Sequence, residues 1–314
     1  MIFYVKLWLL FTPPNPKQTL TNIEWYNMLP RLTKIPQLSP LVSDYLDALR
    51  LQHFEGDIAS NYADRLSLAT DNSVYQQLPQ AILFPKSIAD VVRLTKLAQQ
   101  EKYLSLTFTP RGGGTGTNGQ SINNNIIVDL SRHMTKILEL NVKERWVRVQ
   151  AGVVKDQLNQ FLKPHGLFFS PELSTSNRAT LGGMINTDAS GQGSLQYGKT
   201  SDHVLGLCAV LINGEILETS AVKSDDVFCY TEESSLSANV KKIHQEIFQR
   251  CKDKRSQILN DLPQLNRFLT GYDLKNVFND DLSEFNLTRI LTGSEGSLAF
   301  ICEATLDLMP LPQH

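Results

Sequence analysis

The chain has 314 residues, 41% of them apolar and 20% charged, with 30 basic against 32 acidic side chains and a net charge of -2. That length supports two domains or one large one with a substantial core. The even charge balance and ordinary apolar content exclude a basic nucleic-acid-binding surface and a disordered chain, and leave a small molecule as the expected partner.

Residues 1–10 (MIFYVKLWLL) are apolar but short, are interrupted by Lys6 and lack a small-residue cleavage site, so they do not read as a signal peptide. Met28 opens a more ordinary start, and residues 1–27 are expected to be an upstream extension within a poorly defined N-terminal stretch, 1–40. A helical lead-in is expected over 41–78, where residues 43–54 (SDYLDALRLQHF) space Leu46, Leu49 and Leu51 as a helical face. A short strand follows at 81–85, stopped by Pro85. A helix is expected at 87–100, whose Ile88, Val91, Val92, Leu94 and Leu97 form a stripe behind a Ser87 to Asp90 cap. A β-like stretch at 105–109 completes a β-α-β outline and leads into a run of glycines.

Strands are then expected at 126–130, 137–140 and 146–150, and a helix at 153–162 ending at Pro164-His165-Gly166. A second glycine-rich tract covers 181–198. The strands at 204–212 and 215–218 flank Asn213-Gly214, a strong hairpin signal. Residues 236–261 read as a polar helix and 301–308 as an alternating strand. No apolar run is long enough to span a bilayer. Cys208, Cys229, Cys251 and Cys302 are scattered without metal spacing, and the six histidines (53, 133, 165, 203, 244, 314) form no metal-spaced pair. No metal site is expected, and the thiols fit a reducing, cytoplasmic setting.

The run Arg111-Gly112-Gly113-Gly114-Thr115-Gly116-Thr117-Asn118-Gly119 carries the most chemistry. Glycine tolerates positive φ, which turns successive backbone N–H groups toward one point, and its lack of a Cβ lets a ligand approach the backbone. The run reads as an anion cradle suited to a diphosphate, although glycine clusters also serve as plain turns. Gly114 to Gly119 matches GxGxxG, but a dinucleotide fingerprint opens a helix. Here the run leads through turn residues into a strand, so that reading is refused. Residues 193–200 (GSLQYGKT) fit GxxxxGK[ST] letter for letter, which makes a nucleoside triphosphatase the runner-up. That motif needs a buried strand before it and a helix after it, and neither is expected. Lys199 is therefore read as solvated or structural, and flavin binding as insensitive to its replacement.

Three further segments accompany the loop: residues 171–183 with their Gly182-Gly183 step, Asp188-Ala189-Ser190-Gly191 with Tyr197-Gly198, and residues 293–301 (GSEGSLAFI). Together they imply one long ligand lying on backbone from several loops. In this order, over roughly 79–312, the sequence resembles the flavin-linked oxidases and dehydrogenases of the vanillyl-alcohol oxidase, or PCMH-type, FAD-binding family. The similarity is nearest to the FAD-linked D-2-hydroxyacid dehydrogenases acting on D-lactate, glycolate and D-2-hydroxyglutarate, particularly the long bacterial type fused to an iron–sulfur module. Residues 267–274 (RFLTGYDL) resemble that branch's segment before the closing turn.

The resemblance implies an α+β fold, the PCMH-type FAD-binding fold of two α+β subdomains, here 79–150 and 151–314. It implies flavin contacts from Arg111, Gly112, Gly113, Gly114, Thr115, Gly116 and Thr117, then Glu172, Thr180, Gly182, Gly183, Asn186, Ala189 and Gly191, then Tyr197, Gly198, Glu295 and Ile301. Arg267 and Tyr272 are candidates to approach flavin or substrate. The sequence departs from the family at Glu172 (usually Asp), Asp188 (usually Asn), Ser190 (usually Gly) and Ala299-Phe300 (usually Gly-Ile). Members with covalent flavin place His at Thr115 or Cys at Arg178, so FAD is expected to be non-covalent. The implied reaction passes a hydride from the substrate's C2 to flavin N5 while a base takes the hydroxyl proton. The family's substrate arginine, metal-binding histidines and base lie mostly in a cap domain, which is expected, with the iron–sulfur module, to be missing here and to act in cis or in trans; the alternative is a non-catalytic flavin-binding module that never had a cap. The expected location is the cytoplasm or the periphery of the inner membrane.

Overall fold

The computed structural model describes residues 36–228, 236–263, 265 and 271–312. Helix α1 (Pro40–Leu51) starts earlier than the leucine spacing indicates. Ser39 caps it by accepting from the Val42 N–H at 3.2 Å, and Pro40 occupies the first turn, where its missing N–H costs nothing. Strand β1 (Asp57–Ala59) and helix α2 (Tyr62–Ser67) follow, then β2 (Ala81–Phe84) and α3 (Ile88–Ala98). Ser87 caps α3 through the Asp90 N–H at 3.3 Å. The buried Asp90 carboxylate does not complete the box on Ser87. It accepts from the N–H groups of Lys86 at 2.9 Å and Glu55 at 3.0 Å, tying the lead-in to the helix.

Strands β3 (Phe108–Arg111) and β4 (Ile126–Asp129) complete a four-stranded sheet of order β1-β2-β4-β3. In it β2, β4 and β3 run parallel and β1 antiparallel. β2, α3 and β3 form the expected β-α-β unit, two parallel strands of one sheet joined through a helix, and β4 inserts between them. The strand before the glycines starts later than expected and takes in Arg111.

The second sheet takes β5 (Ile137–Asn141) and β6 (Trp146–Gln150). After them come α4 (Lys155–Leu162), β7 (Leu167–Phe168), α5 (Leu181–Asn186), α6 (Ser194–Tyr197), β8 (Val204–Leu211) and β9 (Ile216–Lys223). The chain continues through α7 (Ala238–Asp253), α8 (Arg255–Asp261), β10 (Glu284–Asn286), α9 (Thr288–Leu291), β11 (Ala299–Asp307) and β12 (Met309–Pro310). The antiparallel order is β10-β9-β8-β11-β6-β5, with β12 and β7 forming a separate pair. The β8–β9 hairpin turns at Asn213-Gly214, where Gly214 has φ +81°. β11 is central and mostly buried on both faces, so the alternation of its sequence does not mark a solvent face.

The boundary between the sheets falls between Asp129 and Ile137, ahead of the division at residue 150, because β6 pairs with β11. The lead-in is not merely helical either, since β1 is an edge strand of the first sheet. The overall fold is α+β. One apolar core gathers α1, α3 and the first sheet with Val210, Phe300 and Cys302 of the second sheet, and another lies among the second sheet and its helices. In the first core the Tyr45 hydroxyl donates to the Leu94 carbonyl at 2.8 Å, and its ring packs edge-on to Tyr103 with centroids 5.1 Å apart. Tyr45→Phe is expected to cost about 1 kcal/mol in urea unfolding, the net value of one hydrogen bond with the packing kept. No change in midpoint would rule out that bond. Among the described residues no helix is long and apolar enough to cross a membrane.

Candidate functional site

An open cleft with a cavity of about 380 Å³ lies where the glycine loop, the segment through α5 and the turn before β11 converge. Between β3 and β4 the loop forms turns and bends without a helix, as the refusal of a Rossmann reading requires. Its glycines do different jobs. Gly114 (φ +61°) takes the left-handed conformation, as does Gly119 (φ +77°). Gly112 and Gly113 instead permit close contact: an added Cβ would lie 2.1 Å from Thr180 Oγ1 and 2.1 Å from the Arg178 carbonyl oxygen, respectively. The backbone N–H groups from Gly112 to Thr117 make no hydrogen bond among the described residues. A run of unbonded donors on a cleft wall is a fitting seat for a diphosphate.

Arg111 lines the cleft, but its guanidinium is turned under the loop. It donates to the carbonyls of Thr70 (2.8 Å), Ser121 (3.2 Å) and Leu68 (3.4 Å). Burial lowers its pKa from the ordinary arginine value, while nearby Asp129 and Asp71 act the other way. Its side chain is thereby committed to holding the loop in place.

Thr180 caps α5 by accepting from the Gly183 N–H at 3.3 Å, so the Gly182-Gly183 step lies in a helical first turn and not in an open turn. An added Cβ on Gly182 would meet the Ala151 Cβ at 2.7 Å. Asn186 joins two tracts: its Nδ2 donates to the Gly182 carbonyl at 2.9 Å, and its Oδ1 accepts from the Gly296 N–H at 3.1 Å. The Glu295 N–H in turn donates to the Asn186 carbonyl at 2.8 Å. Burial raises the Glu295 carboxyl above the usual carboxylate range, against a hydrogen bond with Gln120 that lowers it.

The structure brings Arg111, Gly112, Gly113, Gly114, Thr115, Gly116, Thr117, Thr180, Gly182, Gly183, Asn186, Ala189, Glu295 and Ile301 onto this one cleft. Glu172 and Gly191 line a side cavity that shares Leu173 and Ser190 with it. Tyr197 and Gly198 line neither cavity. The Tyr197 ring packs edge-on to Phe168, its carbonyl accepts from His203 Nε2 at 2.7 Å, and Gly198 turns at φ +69° against Asp202. His203 is thus a buried structural histidine beside that turn. Tyr272 is 41% exposed and its hydroxyl pairs with Ser297 Oγ at 3.1 Å, while its neighbours Gly271 and Asp273 face the cleft. Arg267 lies outside the described residues.

The triphosphatase motif has the wrong architecture. Helix α6 occupies the middle of the would-be phosphate loop, and a short 3-10 turn and then β8 follow it. Lys199 is buried, with Nζ 2.5 Å from Asp188 Oδ2. Asp188 also accepts from the Ser201 N–H at 2.8 Å and the Ser201 hydroxyl at 3.1 Å, so the departure from Asn there has an internal use. Sequence reasoning missed Gln120, whose amide lies against Gly116, and Lys155 in the side cavity. Lys155 had a signal: it shares the apolar stripe of Leu158 and Leu162 at i, i+3 and i+7.

A mostly parallel sheet and an antiparallel one flank this loop-lined cleft, and residues 79–220 match the family described as FAD binding domain. Residues 79–220 thus carry the sequence pattern of an FAD binding domain. Over 287 residues the chain is 79% identical to D-2-hydroxyglutarate dehydrogenase of Haemophilus influenzae, covering 91% of this chain and 28% of that protein. It is 59% identical over 286 residues to D-2-hydroxyglutarate dehydrogenase of Escherichia coli K12, again 91% of this chain and 28% of the relative. A solved structure of alkyldihydroxyacetonephosphate synthase superposes with a TM-score of 0.59 at 20% identity, covering 90% of this chain and 43% of that one, which speaks for the fold alone. The chain spans 28% of the length of these two dehydrogenase relatives.

Proposed function

We propose that this chain is the FAD-binding portion of a flavin-dependent D-2-hydroxyacid dehydrogenase, with D-2-hydroxyglutarate as the leading substrate and D-lactate as the alternative within the same class. The observation that carries the flavin reading is the row of unbonded N–H groups from Gly112 to Thr117 in the lining of a cleft that Gly182 and Gly183 share. The loop would hold the diphosphate by backbone donation, and Thr180, Gly182, Gly183, Asn186, Ala189, Glu295 and Ile301 would seat the remainder of the cofactor. When bound, the flavin supplies a two-electron acceptor for oxidation of a substrate CH–OH group, and the protein supplies binding and orientation.

The carboxylates that the structure describes on the cleft each have a partner already. Among the described residues the carboxylates on the cleft are Asp188, held by Lys199; Asp273, held by Asn276 at 2.9 Å; and Glu295, hydrogen-bonded to Gln120. This supports a base supplied from a cap domain, in cis or in trans, with an iron–sulfur module as a further partner and little turnover from this chain by itself. A cytoplasmic location, or one peripheral to the inner membrane, belongs to the same proposal.

Thr115 and Arg178 offer no group for a flavin bond, so attachment is non-covalent. Purified chain incubated with FAD is expected to turn yellow with flavin absorption bands, and acid precipitation is expected to release the colour to the supernatant. Protein that stays colourless defeats the flavin reading. Colour retained in the pellet defeats non-covalent attachment.

A further inference from the structure

A short hairpin upstream of the matched family region braces the glycine loop. Residues 69–77 turn back on themselves: Thr70 and Gln76 form an antiparallel bridge, and the Gln77 N–H donates to the Ala69 carbonyl at 2.9 Å. They precede residue 79, where the family match starts. Asp71 organises this hairpin. Its Oδ1 accepts from the Ser73 N–H at 2.8 Å and its Oδ2 from the Ser121 hydroxyl at 3.0 Å, so one carboxylate joins the hairpin to the far end of the glycine loop. Burial would raise its pKa, but hydrogen bonds from Ser73 and Ser121 and the charge of Arg111 hold it below the ordinary carboxylate value. The Tyr75 ring closes against Gly119, where an added Cβ would lie 2.9 Å from Cδ2.

The contact with most consequence is made by backbone. The Asn72 N–H donates to the Gly114 carbonyl at 3.1 Å. No described peptide is cis, and across a trans peptide plane the C=O and the following N–H point to opposite sides. With its carbonyl held by the hairpin, Gly114 turns the Thr115 N–H away from the hairpin, and Thr115 lines the cleft with that N–H unbonded. At the start of the loop the sheet plays the same part: the Leu130 N–H donates to the Arg111 carbonyl at 3.0 Å and leaves the Gly112 N–H on the opposite side. Gly114, at φ +61°, has no Cβ to stop that peptide from turning over, so the direction of the Thr115 N–H depends on the outside restraint.

We propose that Asp71 is a positioning residue for the anion cradle. By fixing the hairpin it keeps the Asn72 N–H on the Gly114 carbonyl and so aims the Thr115 N–H at the cofactor's diphosphate. Asp71 lines neither cavity and acts only through the loop. A donor already aimed before binding spares the ligand the cost of ordering it. The cofactor site thereby extends upstream of residue 79 into the lead-in. The link to FAD rests on the flavin reading of the cleft, whereas the hold of Asp71 on the Thr115 peptide does not.

Flavin fluorescence titration and the amide spectrum of the isotope-labelled full chain test this together. Asp71→Ala is expected to bind FAD about 10- to 100-fold more weakly, as loss of a hydrogen bond to a charged acceptor predicts, and to shift the Asn72, Gly114 and Thr115 amides in the free protein. Asp71→Asn should bring affinity back to within about threefold of wild type and return those amides, because its oxygen still accepts from the Ser73 N–H and the Ser121 hydroxyl can turn to accept from the new amide nitrogen. Ser73→Ala, a milder change in the hairpin, should move both readouts the same way, with affinity down about two- to fivefold, and it decides the matter if Asp71→Ala does not fold. The proposal is overturned if folded Asp71→Ala binds FAD within about threefold of wild type, if its Thr115 amide stays in place, or if Asp71→Asn loses as much as Asp71→Ala. A wild-type chain that takes up no FAD defeats the flavin reading, and the Thr115 amide of the free variants then judges the positioning role alone.

Discussion

Gly113→Ala is expected to lower FAD affinity about 10- to 100-fold, whereas Gly116→Ala, three residues along the same loop, should change it by less than about threefold. The difference comes from what each new methyl group meets. At Gly113 it would lie 2.1 Å from the carbonyl oxygen of Arg178 and 3.1 Å from its carbon. That backbone cannot give way cheaply, because the Arg178 and Ala179 N–H groups are bonded to the Thr175 carbonyl at 2.9 and 2.8 Å, and the Ala179 carbonyl holds Lys155 N–H. Relief requires the loop to withdraw from 178–180 and carry its N–H row out of line. Overpacking of this kind costs about 1–3 kcal/mol, and about 1.4 kcal/mol is tenfold in a dissociation constant. At Gly116 the obstruction, at 2.5 Å, is the amide end of the Gln120 side chain, which can rotate away. Gly114→Ala should resemble Gly113→Ala, because it adds a left-handed φ of +61° to a contact with the Arg111 guanidinium. Flavin fluorescence titration on the three variants is the measurement. Equal losses at Gly113 and Gly116 would mean that the loop does not rest on 178–180 as described.

That series also marks how far the sequence could be read. The loop, the second tract and the closing turn were legible as one ligand surface because glycine clusters advertise backbone exposure, and the structure gathers them on one cleft. The reason for Gly112 and Gly113 was not legible. Their partners, Thr180 and Arg178, are more than sixty residues away, and nothing local distinguishes a glycine needed for φ from one needed for contact. Long-range pairing hid other features in the same way. β4 inserts between β2 and β3, and β11 lies buried at the centre of its sheet although its sequence alternates like a half-exposed strand. Tyr197 and Gly198 looked like cofactor residues by motif, but the contacts of their turn with Phe168, His203 and Asp202 leave them beside the cleft. Periodicity reports which face of an element is apolar. It does not report which distant segment will cover that face.

Lys199→Met is expected to destabilise the fold by about 3–5 kcal/mol, the usual cost of removing one partner from a buried ion pair. Lys199 and Asp188 have side chains 9% and 8% exposed, and their charged atoms lie 2.5 Å apart. Without the lysine, Asp188 keeps its hydrogen bonds from the Ser201 N–H and hydroxyl but loses its counter-charge in a site with little water. Adding Asp188→Asn should recover most of the loss. Asparagine keeps an acceptor for the Ser201 N–H and tolerates the left-handed φ of +45° at this position, and the double variant leaves no unpaired charge. Urea unfolding of wild type, both single variants and the double variant forms a cycle whose coupling energy should exceed about 1 kcal/mol. Additive effects, or a Lys199→Met variant as stable as wild type, would remove the pair from the account of the fold. The same variants judge the triphosphatase reading, which requires magnesium-dependent ATP binding that disappears with Lys199 at unchanged stability. Because Asp188 lines the cleft and fixes the backbone entering Ala189 and Ser190, the structure also revises the expectation that flavin binding ignores Lys199. Lys199→Met should bind FAD more weakly in proportion to its loss of order at 188–190, and the double variant should bind it nearly as wild type does.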